Sequence, residues 1–386
     1  MQLLHEKYDI AIVGGGLAGL SSSILLAGKG YSVVLFEMDK YPYYKVCGEY
    51  ISLESWDFLK SLGLNLEALN LPIIKRLQLT APNGKVFNTN LPLGGFGISR
   101  YTLDSSLAQI ARSAGVLLME ETKVEDIFYN EGLFKVSYRP KDQTAVQSIS
   151  SRLCMASYGK RSNLDLKWNR KFAARTNKQL DNYVAVKYHV TTDWPNDLIG
   201  LHNFREGYCG ISKVEGDKYC LCYMTTSKNM KATGGQIQQL ERDILSKNKY
   251  LESLLQNSKK LEGFPVTISQ ISFQSKTKIE NHILMLGDAA GMITPLCGNG
   301  MSIALHTAKL AAEISNLYLS GKITAEQLGS MYKQNWSKHF ATRLAVGRTI
   351  QSFFGGTLLT NMFISGLRLF PFVAAPIIRA THGKPF

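Results

Sequence analysis

The run Gly14-Gly15-Gly16-Leu17-Ala18-Gly19 constrains this chain more than any other segment. It joins a hydrophobic stretch, Tyr8-Asp9-Ile10-Ala11-Ile12-Val13, to a run of small and apolar residues, and so reads as strand, turn and helix. Gly14 permits the tight turn, Gly16 lets a pyrophosphate approach the backbone, and Gly19 lets helix and strand pack closely. Leu17 and Ala18 open the helix, whose free N–H groups and positive dipole end face the phosphates. A second strand, Ser32–Phe36, ends in Glu37, eighteen positions after Gly19. An acid there accepts the hydroxyls of an adenosine ribose. The start of the chain is therefore predicted to be a parallel βαβ unit that binds a dinucleotide.

After residue 72 the pattern changes. Arg76-Leu77-Gln78-Leu79-Thr80, Val184–Val190 and Tyr219–Met224 read as strands of a mainly antiparallel sheet, and helical signals return at Thr102–Ala114 and Met301–Leu319. Two domains are therefore expected to interleave. A chain of 386 residues, 45% hydrophobic and 19% charged, is globular rather than disordered. Its net charge of +14 suits an anionic ligand or membrane surface, or simply a solvated basic exterior. The six cysteines form no CxxC pair, and Cys220 and Cys222 alternate on one face of a strand. Reduced thiols in the cytoplasm are expected, with no zinc site, no metal and no nucleic-acid partner. Tyr8–Val13 reads as a core strand, not as part of a signal peptide.

The glycine motif alone does not separate FAD from NAD. A second segment does. His282–Leu286 runs as a buried strand into Gly287-Asp288-Ala289-Ala290-Gly291, and Pro295-Leu296-Cys297-Gly298-Asn299-Gly300-Met301 leads into a long helix. This block resembles the GD motif of the FAD-dependent geranylgeranyl reductase and para-hydroxybenzoate hydroxylase-like superfamily. The resemblance implies that Asp288 bonds the ribityl chain of FAD. It also implies that Gly298, Asn299, Gly300 and Met301 aim backbone amides at the flavin N1–C2=O edge, where reduced flavin is anionic. Ile98–Asp104 resembles the family's arginine segment, which makes Arg100 a flavin-side contact, with Thr102 expected to cap the helix. Lys123-Val124-Glu125 resembles the strand whose backbone reads the adenine. One departure stands out. The hydroxylases carry an Asp-Gly pair where this chain has Tyr158-Gly159. FAD binding tolerates that loss, but the expectation of reduction by NADPH weakens and the donor, NAD(P)H or another, stays open.

Lys45-Val46-Cys47-Gly48-Glu49 resembles the Lys-x-Cys-Gly loop of the geranylgeranyl reductase branch. The resemblance places Cys47 and Gly48 near the flavin ring, with Cys47 facing substrate as a proton relay and Lys45 and Glu49 orienting phosphates or the loop. Gly207–Lys213 is expected over the flavin. The tryptophan-rich WxWxIP motif of the flavin halogenases is absent, which weighs against halogenation. Two enzyme readings remain: reduction of C=C bonds in an apolar isoprenoid or lipid-like substrate, and hydroxylation of an aromatic or polyketide ring. A non-catalytic prenyl-binding protein like the GDP dissociation inhibitors is disfavoured by the intact Gly14, Gly16, Gly19, Glu37 and Asp288 set. The resemblance implies an α/β protein: a Rossmann-type, hydroxylase-like FAD-binding domain (1–72, 98–170, 276–335) interleaved with an antiparallel substrate domain (73–97, 171–275). A helical cap (336–386) completes it. Thr349–Leu367 is free of charge but polar and carries three glycines. It is expected to form amphipathic helices that close the cavity or lie in a membrane interface, with Arg343, Arg348, Arg368 and Arg379 near headgroups.

Overall fold

The computed structural model describes residues 6–173, 183–354 and 356–386; Gly355, one of the three tail glycines, lies outside them. Strand Lys7–Val13 is buried on both faces over its unbroken apolar run, Ile10–Val13. It pairs in parallel with Val33–Phe36 on one side and Gln147–Ala156 on the other. Leu117–Met119 and Ile283–Met285 extend the parallel sheet outwards, and the hairpin Thr122–Asn130/Leu133–Pro140 joins it through Gln147–Ala156. Helix Leu17–Ala27 covers this sheet and packs against the long helix Gly300–Leu319. Small residues on the first helix permit that approach: Ser21, Ser22 and Ser23 are fully buried, and Ser22 and Ser23 bond backbone carbonyls of their own helix.

The second sheet has nine strands and is antiparallel except where Leu198–Phe204 runs parallel to Ile73–Thr80. Strand Tyr183–Thr191, one place in from an edge of this sheet, separates two environments by simple alternation. Val186, Tyr188 and Val190 enter a core closed by helices Ile237–Asp243 and Lys249–Asn257. Ala185, Lys187 and His189 point the other way. The antiparallel partner Tyr219–Thr226 sets Cys222 opposite Lys187 and Cys220 opposite His189.

Helix Ala325–Phe353 starts in a capping box of Thr324 and Gln327. Leu328, Tyr332, Trp336, Phe340 and Leu344 form its buried stripe at four-residue spacing. Two further helices, Thr357–Leu369 and Ala374–Thr381, follow. Ile364, Leu367 and Ala374 from them pack on Leu77, Leu79 and Phe87 of the second sheet. The expected helix from Thr102 spans Arg100–Ser113, and its cap is Ser99, whose hydroxyl accepts the N–H of Thr102. Thr102 is three residues inside and instead donates to Glu215.

Tyr332 is fully buried and its phenol donates to the Met285 carbonyl at 2.6 Å. Tyr332→Phe removes only that bond and is expected to lower stability by about 1 kcal/mol. Phe340→Ala leaves a cavity and is expected to cost about 3–5 kcal/mol. Chemical denaturation of both variants checks the order; equal losses would show that the long helix is not packed as described.

Candidate active site

A cavity of about 1440 Å³ lies between the two sheets. A single small-molecule pocket usually takes roughly 300–1,000 Å³, so there is room here for a dinucleotide and a second molecule. Two helices begin in its wall, Leu17–Ala27 and Gly300–Leu319, and neither has a side-chain cap. Their first N–H groups are left for a ligand, whereas Ser99 and Thr324 cap the helices Arg100–Ser113 and Ala325–Phe353.

The glycines divide as the sequence suggests. A Cβ on Gly14, at φ +102°, would lie 2.6 Å from the Ser157 carbonyl, and one on Gly19 would lie 2.0 Å from the Gly14 oxygen. These two are needed for the chain to pack on itself. Gly16 differs: its nearest neighbour is an Arg100 nitrogen at 3.8 Å, which leaves the face over the turn open. Glu37 is buried beside it, its carboxylate accepting from the N–H groups of Gly15 at 2.7 Å and Asp39 at 3.1 Å. Leu17 and Ala18 line the cavity at the helix start, and Val124 lines it beyond Glu37. Asn163 donates to the Val124 carbonyl at 3.3 Å.

Asp288 sits in a single helical turn after strand Ile283–Met285. Burial raises its carboxyl pKa, although Lys276, Arg100 and Lys160 oppose the shift. The turn is held by lysines that sequence reasoning missed. Lys276 donates to the carbonyls of Asp288 (2.8 Å) and Lys160 (2.6 Å), and Lys278 donates to that of Ala290 (2.8 Å). Gly298, at φ +64°, makes the turn into the second uncapped helix, which begins with Gly300 and Met301. Asn299 spends its amide on the Thr381 carbonyl at 2.8 Å.

Arg100 faces Gly16 and makes a bidentate pair with Asp104, both contacts at 2.6 Å. Lys45 adds a third cationic contact to Asp104 at 3.2 Å, so its ammonium ties the loop to this helix. Burial alone would raise the Asp104 pKa, but Arg100 and Lys45 outweigh it and hold the acid low. Tyr158, which replaces the hydroxylase acid, donates to Asp165 at 2.6 Å and accepts from Arg170 at 3.1 Å. Arg170 is buried and also reaches the Ala289 carbonyl at 3.1 Å, so the departing residue braces the Asp288 turn.

Cys47 lies 3.6 Å from the Met301 sulfur, at the start of the second uncapped helix. Burial pushes its pKa up, with Arg100 opposing, so the thiol keeps its proton at neutral pH. A Cβ on the adjoining Gly48 would meet nothing within 4 Å, and the loop is open to the cavity there. Beneath the loop Glu49 is fully buried at φ +55°. It pairs with Lys187 and accepts from the Arg100 N–H at 2.7 Å, and His189 Nε2 lies 2.6 Å from its other oxygen. Cys220 donates to the Cys47 carbonyl at 3.2 Å and Lys187 to that of Lys45 at 3.1 Å. Among the described residues Glu49, His189 and Cys220 bring donor atoms within 4.8 Å of one another. Lys187 already neutralises that carboxylate. Lys187 and His189 had a sequence signal: a lysine and a histidine at alternate positions of a buried strand need polar partners on that face.

Two open helix starts on one cavity, with Glu37 fixed beside the first and Asp288 ahead of the second, are a donor set that fits FAD. Bound FAD supplies two-electron redox chemistry, and the protein is an FAD-dependent oxidoreductase. The chain belongs to the FAD binding domain family, whose model matches residues 7–335. It is 26% identical over 352 residues to a digeranylgeranylglycerophospholipid reductase of Methanococcus vannielii, covering 88% of this chain and 85% of that protein. It is 22% identical over 371 residues to conditioned medium factor receptor 1 of Dictyostelium discoideum, covering 90% and 70%. The flavin-dependent brominase Bmp2 shares the fold, with a TM-score of 0.79 at 17% identity, covering 97% of this chain and 93% of that one.

Glu37→Ala and Asp288→Ala are each expected to weaken FAD binding about tenfold to a hundredfold, the loss of a charged hydrogen bond. Flavin fluorescence titration measures this, and wild-type affinity in both would sink the assignment. Lys160 lines the cavity, and burial together with Arg161 pushes its pKa down to about 8 against the pull of Asp288. A bound diphosphate favours the charged form, so FAD binding should take up protons from about pH 8 upward, and affinity should fall with rising pH across that same window. Calorimetry in buffers of different ionisation enthalpy reads this. No uptake, or the same uptake in Lys160→Gln, would mean that Lys160 does not meet the phosphates.

Proposed function

We propose that the protein uses reduced FAD to saturate a C=C bond of an isoprenoid or similar lipid. The cavity carries this reading. Beyond the cofactor cradle it continues between Leu77, Leu79 and Phe87 of the second sheet and Phe363, Leu367 and Ile377 of the terminal helices. That wall has no charged group and suits a long apolar chain better than a compact polar ring. Saturation adds one hydride equivalent and one proton across the double bond. The residues at the junction of the two halves are suited to the proton. Cys47 Sγ is protonated, faces the cavity, and is fixed by its loop's bonds to Lys187, Ser212 and Cys220. After giving up its proton it would regain one from water entering past Gly48. The similarity to a digeranylgeranylglycerophospholipid reductase supports the same substrate class.

The test is anaerobic incubation of the dithionite-reduced protein with polyprenyl lipids, followed by mass spectrometry. Products carrying two more hydrogens per reacted double bond are expected. Cys47→Ala should retain FAD and lose about a hundredfold or more in turnover, with the alkaline limb of the pH profile altered. Oxygen-dependent hydroxylation of an aromatic compound, with no lipid saturated, would overturn the reading in favour of a monooxygenase.

A further inference from the structure

The terminal helices have two apolar faces, and only one is used inside the molecule. On Thr357–Leu369 the inner face carries Thr360, Ile364 and Leu367, all buried. Half a turn away, Leu358, Met362 and Leu369 form a second stripe that is 71%, 62% and 74% exposed. Phe370 and Phe372 continue it around the bend into the last helix, 56% and 74% exposed. Eight of the fourteen exposed large hydrophobic side chains among the described residues lie between Phe353 and Val373, so they form one patch rather than a scatter.

The charge around the patch identifies its partner. Residues 327–386 contain seven lysines and arginines and no aspartate or glutamate. Arg343 turns inward to Glu54, whereas Arg348, Arg368, Arg379 and Lys384 are exposed, Arg368 and Arg379 on the two terminal helices themselves. A second copy of this chain would bring the same cations with no acid to meet them, which disfavours self-association through this face. No single helix among the described residues is long and apolar enough to cross a membrane, and the two terminal helices meet at 104°. Exposed phenylalanines and leucines rimmed by cations suit the interface of an anionic bilayer.

We infer that the surface formed by Leu358, Met362, Leu369, Phe370 and Phe372, with Arg368 and Arg379, docks on an anionic lipid membrane. The inner faces of the same helices wall the cavity through Phe363, Leu367 and Ile377. A docked molecule therefore presents its cavity to the bilayer across one helix layer. That a lipid substrate enters there rests on the reductase reading; the docking itself rests only on the surface.

Flotation of the FAD-loaded full chain with vesicles tests this directly. Binding is expected to phosphatidylcholine vesicles containing phosphatidylglycerol, weakened by salt, with little binding to phosphatidylcholine alone. Phe370→Asp with Phe372→Asp should abolish flotation, and Arg368→Gln with Arg379→Gln should weaken it about tenfold to thirtyfold. Flavin content should match wild type in both, since none of these side chains enters the cofactor site. Failure of the flavin-loaded wild type to float with either vesicle would overturn the proposal. So would a wild-type dimer that the double aspartate variant turns into a monomer without lipid, which would assign the face to a second copy. Neither readout depends on turnover, so the docking and the reductase reading fail separately.

Discussion

The carboxylate of Glu49 joins the two halves of this molecule. One oxygen takes the Lys187 ammonium and the N–H that opens the Arg100 helix, and the other takes His189. Burial alone would raise the pKa of Glu49, yet bonding to His189 and the charge of Lys187 outweigh it and hold the acid below its ordinary value. A buried carboxylate can persist only with such partners, and removing one partner of a buried pair typically costs about 3–5 kcal/mol. Glu49 also occupies the left-handed backbone region at φ +55°, which disfavours a residue with a Cβ. Its bonds offset that strain and set the direction of the Cys47-Gly48 peptide ahead of it. The loop's position against the second sheet therefore follows from one ionised group.

That constraint explains why the cofactor end and the substrate end differ in character. Around the Gly14–Gly19 turn and Asp288, fixed charges and backbone groups leave little freedom: Arg100 with Asp104 and Lys45, Lys276 and Lys278 on carbonyls, and Arg170 with Asp165 and Tyr158. Each cation there is matched by an anion or by carbonyl oxygens, as a low-dielectric interior requires. The far wall is made of aliphatic and aromatic side chains with no such bonds. Charges and backbone bonds therefore fix one end of the cavity, and apolar packing shapes the other.

The parts legible in the sequence are those whose chemistry is local. Strand, glycine turn, helix and Glu37 fall within one βαβ unit, so their spacing reveals them, while Asp288 and Gly298–Met301 fall within one turn and one helix start, short enough for a family resemblance to mark them. The charge clusters are not local. Lys187 and Glu49 are 138 positions apart, and Arg170 and Ala289 are 119 apart. Only the tertiary fold brings them together. Thr102 shows a subtler limit: Ser99 and Thr102 both suit an N-cap, and the register of the Glu215 carboxylate against both hydroxyls decides between them. Tyr158 was visible as a departure from the hydroxylase pattern, but its new partners, Asp165 and Arg170, could not be read from its neighbours.

The tail shows why two readings of one segment need not compete. In the sequence such an apolar stretch reads either as a lid or as a membrane contact, as if a helix had one face to give. Thr357–Leu369 has inner and outer stripes about half a turn apart, with Asn361 and Ser365 between them on one flank and Leu359, Phe363 and Gly366 on the other. The inner stripe rests on the second sheet while the outer one stays exposed. An enzyme acting on water-insoluble molecules faces a partition problem: the substrate is dilute in water and concentrated in a bilayer. On the proposed docking and reductase readings, a layer one helix thick would shorten the transfer between those phases to about the width of a helix, roughly 10 Å.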